Sequence, residues 1–199
     1  MSGRRLAVVV TVEHHDDPVL SRFAVPSADV HVLAEVLGDS GLGGYELAFL
    51  RNPGVPETFE SVLALFEGRD QDYSVLFYFR GVMLTGPGGG LFLAGSDTSM
   101  GRAADTAVDV AQLALLLQRS RAGQAVVLLD GRTGGPVDAG HHFRAARSAE
   151  WQSRVVIAAT ARPEPPTFAG LIAEGLRNGA ADRDRDGFIG IGELHYHLR

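Results

Sequence analysis

The feature that most constrains this chain is a set of short segments that are apolar almost throughout. Leu6–Val12, Tyr73–Phe79, Ala125–Leu129 and Arg154–Thr160 are rich in β-branched and aromatic residues and do not alternate with polar ones. Strands of this kind are buried on both faces, which is typical of the interior of a parallel sheet. Parallel strands need crossover connections, and these are usually helices. The segments therefore predict an α/β fold.

Segments with helical spacing separate these strands. Apolar residues recur every three or four positions from Ser27, a predicted N-cap, to Leu37, and Pro56–Phe66 has proline in its first turn. Further helices are predicted at Val108–Gln118 and Phe168–Leu176, and a further strand at Tyr45–Leu50. This alternation predicts a three-layer fold with helices on both faces of a mostly parallel sheet.

The connections carry their own signals. Gly81–Ser99 is predicted to form a small hairpin, with a turn at the glycine run Gly86–Gly90 and a returning strand at Leu91–Leu93. The segments Gly131–Gln152 and Ala161–Thr167 are long and irregular, and both follow the carboxyl ends of strands. Open α/β sheets bind their ligands at that edge, so we expect the functional residues there.

Composition excludes several kinds of chemistry. The 199 residues, with a net charge of -6, suit one globular domain, and the basic residues are too scattered for nucleic-acid binding. There is no cysteine, and all 18 basic residues are arginine. Thiol nucleophiles, disulfides, Schiff-base lysines and P-loop lysines are therefore excluded.

No apolar run approaches the roughly 20 residues of a membrane span, and no signal-peptide cleavage site follows the first strand. These features predict a cytoplasmic protein, and the bias towards Arg, Ala and Gly is typical of bacteria.

Two strand ends carry recognisable motifs. They read YFRGVM at Tyr78–Met83 and LLDGRTGG at Leu128–Gly135. Together they resemble the caspase-like cysteine peptidases, which include metacaspases and bacterial caspase-like domains, and in which these strands end in patterns like YFSGHG and LDCCHSG. The helix start with Asp29, the FLAGSDT segment with Asp97 and the acidic loop near the C-terminus extend the resemblance over nearly the whole chain. It implies a three-layer caspase-like sandwich.

The resemblance also implies where the catalytic residues would stand. In the family, a histidine on the first strand end takes the proton of a cysteine on the second, and the thiolate attacks the scissile carbonyl. Those two positions fall on Val82 and Arg132. The neighbouring positions that match the family are Tyr78, Phe79, Gly81, Asp130 and Gly135, and those that depart from it are Arg80, Met83, Gly131, Thr133 and Gly134. A valine carries no proton and a guanidinium is neither nucleophile nor base, so we expect no peptidase activity.

Two alternatives remain open at this edge. Thr133 is a candidate hydroxyl nucleophile with His141 or His142 as its base, which would make the chain a hydrolase. In the family, Asp130 helps to line the pocket for a basic substrate side chain, as does the region around Asp97. Here Asp130 is predicted either to keep that role or to pair with Arg132, two residues away. Tyr78 and Phe79 are expected in the core.

Other histidines carry weaker signals. His14 and His15 end the first strand and are predicted to be solvated rather than to hold a metal. His195 and His197 lie two residues apart on a predicted helix and therefore face different directions.

The segment DRDRDGFIGIGE resembles the Ca²⁺ loop of an EF-hand. The predicted ligands are the side chains of Asp182, Asp184, Asp186 and Glu193 and the backbone carbonyl of Phe188. A hard cation needs six to eight oxygens, and Gly187 allows the sharp turn. The alternative is an aspartate-rich turn that only caps the final helix, since the preceding helix is predicted to stop at Asn178–Gly179.

These observations lead to one main hypothesis. We expect a caspase-like domain over residues 1–179, with residues 180–199 as an acidic loop and terminal helix of the same domain. Its function would be to bind or regulate a protein partner, either an active caspase-like protease or a second copy of the chain. A third hypothesis, after the hydrolase, is a Ca²⁺-responsive structural domain.

The predicted interface is the edge strand Arg154–Thr160 with the loop before it. Alternatively, Phe143 and Trp151 of that loop would pack on the core. The loop residues of interest are Arg132, His141, His142, Phe143, Arg144, Arg147 and Trp151.

Overall fold

The computed structural model describes residues 3–24, 26–86, 89–133, 154–160, 167–187 and 189–198. Within them a single sheet contains seven strands. The strands are β1 (Arg4–Thr11), β2 (Glu46–Arg51), β3 (Tyr73–Thr85), β4 (Leu91–Leu93), β5 (Val108–Asp109), β6 (Gln124–Thr133) and β7 (Arg154–Thr160).

Helices connect most of these strands. The α-helices are α1 (Ala28–Gly38), α2 (Val55–Phe66), α3 (Ala103–Thr106), α4 (Val110–Arg119), α5 (Phe168–Arg177) and α6 (Ile191–His197). Short 3₁₀ helices lie at Leu20–Phe23 and Met100–Arg102. No helix in the described part of the chain is long and apolar enough to span a bilayer.

The strand order is β2-β1-β3-β6-β7, and all of these pairs are parallel. β4 pairs antiparallel with the last residues of β3, beyond the point where β1 ends, and β5 pairs antiparallel with β4. The predicted fold class, a mostly parallel sheet between two layers of helices, is therefore confirmed.

The core lies on both faces of this sheet. On one face, α2 and α4 pack through Val62, Phe66, Leu113 and Leu117 against odd-numbered residues of β3 and β6, including Phe77 and Leu129. On the other face, α1, α5 and α6 pack against even-numbered residues of the same strands. The buried residues of that second face include Leu33, Leu37, Ile172 and Leu194 from the helices and Leu76, Tyr78, Val126 and Leu128 from the strands. Because successive side chains of a strand point to opposite faces, the parity of a residue decides which helices it meets.

Two strands are longer than their apolar runs predict. β3 continues past Phe79 to Thr85, and β6 continues past Leu129 to Thr133. The two strands remain paired as far as Met83 and Thr133, and β4 supplies a further partner for the end of β3. Hydrogen bonds from neighbouring strands therefore carry β3 past the charged Arg80 and β6 into the polar residues that follow Leu129.

The predicted hairpin is confirmed, one helix starts later than predicted, and one predicted N-cap makes no side-chain hydrogen bond. The amide of Gly86 donates to the carbonyl of Gly90 at 2.8 Å, which closes the turn between β3 and β4. Val108 belongs to β5 rather than to a helix, and the Asp109 side chain caps α4. Ser27 precedes α1, but its side chain makes no capping hydrogen bond.

Candidate functional site

The two positions that correspond to the family's catalytic pair lie opposite each other in the sheet. Val82 of β3 and Arg132 of β6 are register partners. Because both residues have even numbers, they share the sheet face of Tyr78, Arg80 and Asp130. The sequence prediction that these two motifs meet is correct, although they meet within paired strands and not in loops that follow them.

Val82 is part of a small apolar cluster. Its side chain is 1% exposed and packs with Leu20, Leu84, Phe92 and Ala94. Leu20 comes from the first 3₁₀ helix and Phe92 from β4. The space beside Val82 is therefore filled by hydrocarbon from its own strand, from the 3₁₀ helix and from β4 with the residue that follows it.

Arg132 points to solvent at this edge. Its residue is exposed, and its guanidinium carbon lies 5.7 Å from the ring centroid of Phe23, within the range of a cation–π contact. The predicted pair between Arg132 and Asp130 is wrong. Residues two apart on one strand are separated by about 6.6 Å, whereas register partners on adjacent strands lie within about 5 Å.

Asp130 pairs instead with its register partner, Arg80. The Arg80 Nη1 atom donates to the Asp130 Oδ2 atom at 2.5 Å, and the Tyr78 hydroxyl donates to the same oxygen at 2.7 Å. Arg80 Nε also donates to the carbonyl of Pro26 at 2.9 Å. Arg80 is 3% exposed and Asp130 is fully buried. The arginine is held by a carboxylate on one side and a backbone carbonyl on the other.

The electrostatics of this cluster follow from its burial. Burial raises the pKa of Asp130 above its usual value, and the charge of Arg80 acts in the opposite direction. Burial, followed by the Asp130 charge, raises the pKa of Tyr78 well above its usual value, so its hydroxyl stays protonated and donates. Asp130 Oδ1 has no hydrogen-bond partner among the described residues. The cluster is therefore a buried ion pair in which one carboxylate oxygen, Asp130 Oδ1, accepts no hydrogen bond from the described residues.

Of the two further acidic residues in the family resemblance, Asp29 acts on this cluster and Asp97 contacts α2. Asp29 Oδ2 accepts a hydrogen bond from the Thr167 hydroxyl at 2.7 Å, and the Asp29 charge is among the influences that raise the pKa of Asp130. Asp97 is exposed, and its Oδ1 atom accepts from the amide of Val55 at 2.8 Å. Asp97 therefore binds the first residue of α2.

The alternative nucleophile falls largely outside the described structure. Thr133 is the last residue of β6, and its side chain is not described. His141 and His142 lie outside the described residues, as do Phe143, Arg144, Arg147 and Trp151. Next to Thr133, a Cβ atom at Gly131 would collide with the side chain of Met83. A larger residue at position 131 would therefore force the Met83 side chain to move.

The prediction that His15 is exposed to solvent is wrong. It is 7% exposed rather than solvated, whereas His14 is exposed as predicted. The Nδ1 atom of His15 lies 2.9 Å from the carbonyl oxygen of Gly95, and its Nε2 atom is buried without a partner among the described residues. Burial lowers the pKa of His15, and the hydrogen bond to Gly95 opposes that effect. Only the fold of the segment after β4 brings Gly95 to this histidine.

The acidic loop brings three of its five predicted ligands together. Carboxylate oxygens of Asp182, Asp184 and Glu193 all lie within 4.8 Å of one another, while Asp186 stands outside this group and Phe188 lies outside the described residues. The amide of Gly187 donates to Asp182 Oδ2 at 3.0 Å. The group fits a hard, oxygen-binding cation by charge and donor type.

The same loop also satisfies the capping alternative. Glu193 Oε2 accepts from the amide of Gly190 at 2.8 Å, and Glu193 Oε1 accepts from the amides of Arg183 and Asp184 at 2.8 and 3.3 Å. These N–H groups, with Gly190 first, lower the pKa of Glu193. A carboxylate has about four lone-pair sites, so bidentate binding of a cation requires Glu193 to release some of these bonds. Both roles predicted for this glutamate therefore remain open.

Comparison with solved structures identifies the fold. Caspase-1 from Spodoptera frugiperda matches with a TM-score of 0.63 at 15% identity, over 99% of this chain and 75% of that chain. A structure of pro-sf-caspase-1 gives a TM-score of 0.61 at 14% identity, over 99% and 76% of the two chains. A structural-genomics protein of Geobacter sulfurreducens gives 0.58 at 12% identity, over 88% and 83%.

Sequence comparison adds no closer relative. No protein-family model matches the chain, and no curated protein matches it. At such low identities the structural matches show the fold alone. The chain has a caspase-like fold, as its motifs predicted.

Proposed function

We propose that this chain is a non-catalytic caspase-like module that acts by binding and regulating a protein partner. The main support is the pair between Arg80 and Asp130. In the family that the motifs resemble, the residue at Asp130 helps to receive a basic substrate side chain. Here an arginine of the chain itself already neutralises that carboxylate at 2.5 Å. A substrate arginine would have to displace it from a buried site.

The environment of the former catalytic positions supports the same proposal. Val82 offers no proton acceptor and is surrounded by Leu20, Leu84 and Phe92. A general base must reach its proton through a hydrogen bond, directly or through one water. Arg132 offers no nucleophile, and its side chain lies over Phe23. Among these residues, no pair has the nucleophile-and-base chemistry that acyl transfer needs.

The partner we propose is an active caspase-like protease or a second copy of this chain, bound through the edge strand β7. In the described residues β7 pairs only with β6, so it is the edge strand of the described sheet. Exposed edges of this kind favour pairing between chains. The loop before β7 would add the arginines and aromatic residues that are enriched at protein interfaces.

We also propose that the acidic loop binds Ca²⁺. The support is the approach of the Asp182, Asp184 and Glu193 carboxylates to within 4.8 Å of one another. Carboxylates so close repel one another unless a cation lies between them. Ca²⁺ would order the loop next to α6, whose Leu194 packs into the same cluster as α1 and α5.

A peptidase assay tests the main proposal. The purified chain should show no turnover of peptides with basic or acidic residues before the scissile bond, with or without Ca²⁺. The double variant Val82→His, Arg132→Cys should also be inactive, because the new imidazole enters an apolar cluster and Arg80 still holds Asp130. Turnover by the wild-type chain that disappears in Thr133→Ala would overturn the proposal in favour of a threonine hydrolase.

A further inference from the structure

A cavity lies on the same sheet face as the ion pair but towards the opposite end of the strands. Its volume is about 420 Å³, which lies in the range of small-molecule sites. Leu76, Gln124 and Val126 stand in the first halves of β3 and β6, so the cavity is remote from Val82 and Arg132. None of the chemistry discussed for the caspase-like edge uses it.

Most of the cavity wall is hydrocarbon. The apolar lining comes from the helices α1, α5 and α6, from the strands beneath them and from the loop before α6. It includes Leu33, Leu37, Leu76, Val126, Leu128, Ile172, Leu176, Ile189 and Leu194. Several of these side chains belong to the buried core of the face. Water gains few hydrogen bonds against such walls, so an apolar group that displaces it is favoured.

A polar anchor stands at one side of this cavity. Arg5 and Tyr45 both line it, on β1 and immediately before β2. Arg5 Nη1 donates to the carbonyl of Gly43 at 2.8 Å, which holds the guanidinium in place. Its other N–H groups make no hydrogen bond with the described residues and can donate to a ligand. The Tyr45 hydroxyl makes no hydrogen bond with the described residues. Burial raises the pKa of Tyr45, so the phenol is a neutral donor at neutral pH.

The charges around the cavity select the ligand's polar group. Two arginines, Arg5 and Arg177, line it against a single carboxylate, Asp182. An anion therefore meets a net positive rim, whereas a cation meets repulsion from both arginines. A guanidinium and a phenol that donate to the same group are matched by the two oxygens of a carboxylate. An uncharged apolar ligand would cover these donors without pairing them, which is costly.

We propose that this cavity binds a small amphiphile, a carboxylate with an apolar chain, whose head is held by Arg5 and Tyr45 and whose chain lies between α1 and α5. The ligand class is that of a medium-chain fatty acid. Binding there requires neither peptidase chemistry nor a bound cation.

Titration calorimetry of the full chain with decanoate, in EDTA and below the micelle concentration, tests this proposal. Decanoate should bind, and decanol should bind at least about tenfold more weakly because it leaves the arginine unpaired. Arg5→Gln should weaken decanoate binding about tenfold, and Tyr45→Phe roughly fivefold. Leu176→Trp should abolish binding by filling the cavity.

Arg4→Gln is the matched control. Arg4 precedes Arg5 on β1 but faces the other side of the sheet, where its guanidinium lies 5.4 Å from the Tyr73 ring centroid. This variant should bind decanoate like the wild-type chain. Circular dichroism will show whether each variant is folded. If Leu176→Trp does not fold, Tyr45→Phe still tests whether decanoate binds in this cavity. No binding at millimolar decanoate, equal binding of decanol, or affinities unchanged by both Arg5→Gln and Tyr45→Phe would overturn the proposal.

Discussion

Replacing Arg80 with methionine would leave the Asp130 carboxylate buried without its counter-charge. Asp130 is fully buried, and its Oδ2 atom would keep only the hydrogen bond from Tyr78 at 2.7 Å. The carbonyl of Pro26 would also lose its donor. Breaking a buried ion pair from one side costs about 3–5 kcal/mol. Because domains of this kind are stable by about 5–15 kcal/mol, we expect Arg80→Met to lose a third or more of the free energy of unfolding.

The loss should depend on pH with a definite sign. Burial already raises the pKa of Asp130 in the folded state, and removal of Arg80 raises it further. A group with a raised folded pKa holds its proton more tightly in the folded state than in the unfolded one. The loss in free energy of unfolding caused by Arg80→Met should therefore be smallest in acid, near the ordinary Asp pKa of about 4. It should grow as the pH rises towards the pKa of Asp130 in the folded variant.

Urea denaturation of the wild-type chain and the variants from about pH 5 to about pH 8 measures both effects. The double variant Arg80→Met, Asp130→Leu should recover most of the lost stability, because neither charge remains buried. Tyr78→Phe, which removes one donor and keeps the ion pair, should cost about 1–3 kcal/mol. A deficit below about 1 kcal/mol for Arg80→Met, unchanged across this pH range, would show that the pair does not carry the stability assigned to it.

Three further outcomes test other features of the chain. Millimolar Ca²⁺ should raise the melting temperature by mass action, more than Mg²⁺ does, and the shift should vanish in Asp182→Ala, Glu193→Gln; an unchanged shift would leave these residues only the capping role. Stability should fall as pH drops below the ordinary histidine pKa of about 6.5, because the folded pKa of His15 is lowered, and His15→Gln should flatten that slope in urea denaturation. The mass from light scattering should rise with concentration if the chain pairs through β7, and Phe143→Ala, Arg144→Glu should reduce it; a strictly monomeric chain with unaffected partners in pull-down assays would argue against this interface.

The α/β fold was accessible from sequence because its signals are local, and the resemblance of two strand-end motifs implied its caspase-like form. Apolar runs and helical periodicity marked most strands and helices, and the glycine run marked the hairpin. The prediction that Val82 and Arg132 stand where the family has its catalytic pair needed only the order of residues in two motifs. No contact had to be known for these inferences.

The partner of Asp130 could not be predicted in this way. Arg80 and Asp130 are 50 residues apart in the chain, and sequence proximity favoured Arg132 instead. The burial of His15 beside Gly95 was missed for the same reason, since 80 residues separate them. The cavity with Arg5 and Tyr45 likewise needs the positions of α1, α5 and the acidic loop together.

The sequence by itself thus determined most of the elements and their order, and which residues stand in the two motifs that resemble the caspase-like family. Periodicity and residue type express the physics of a single turn or strand, so they can be read without knowing what lies beside them. The tertiary structure alone decided that Arg80 neutralises Asp130, that Val82 is enclosed by hydrocarbon, and that Arg5 and Tyr45 line one cavity. Those facts depend on which strands are neighbours and on their register, which is set by burial across the whole sheet.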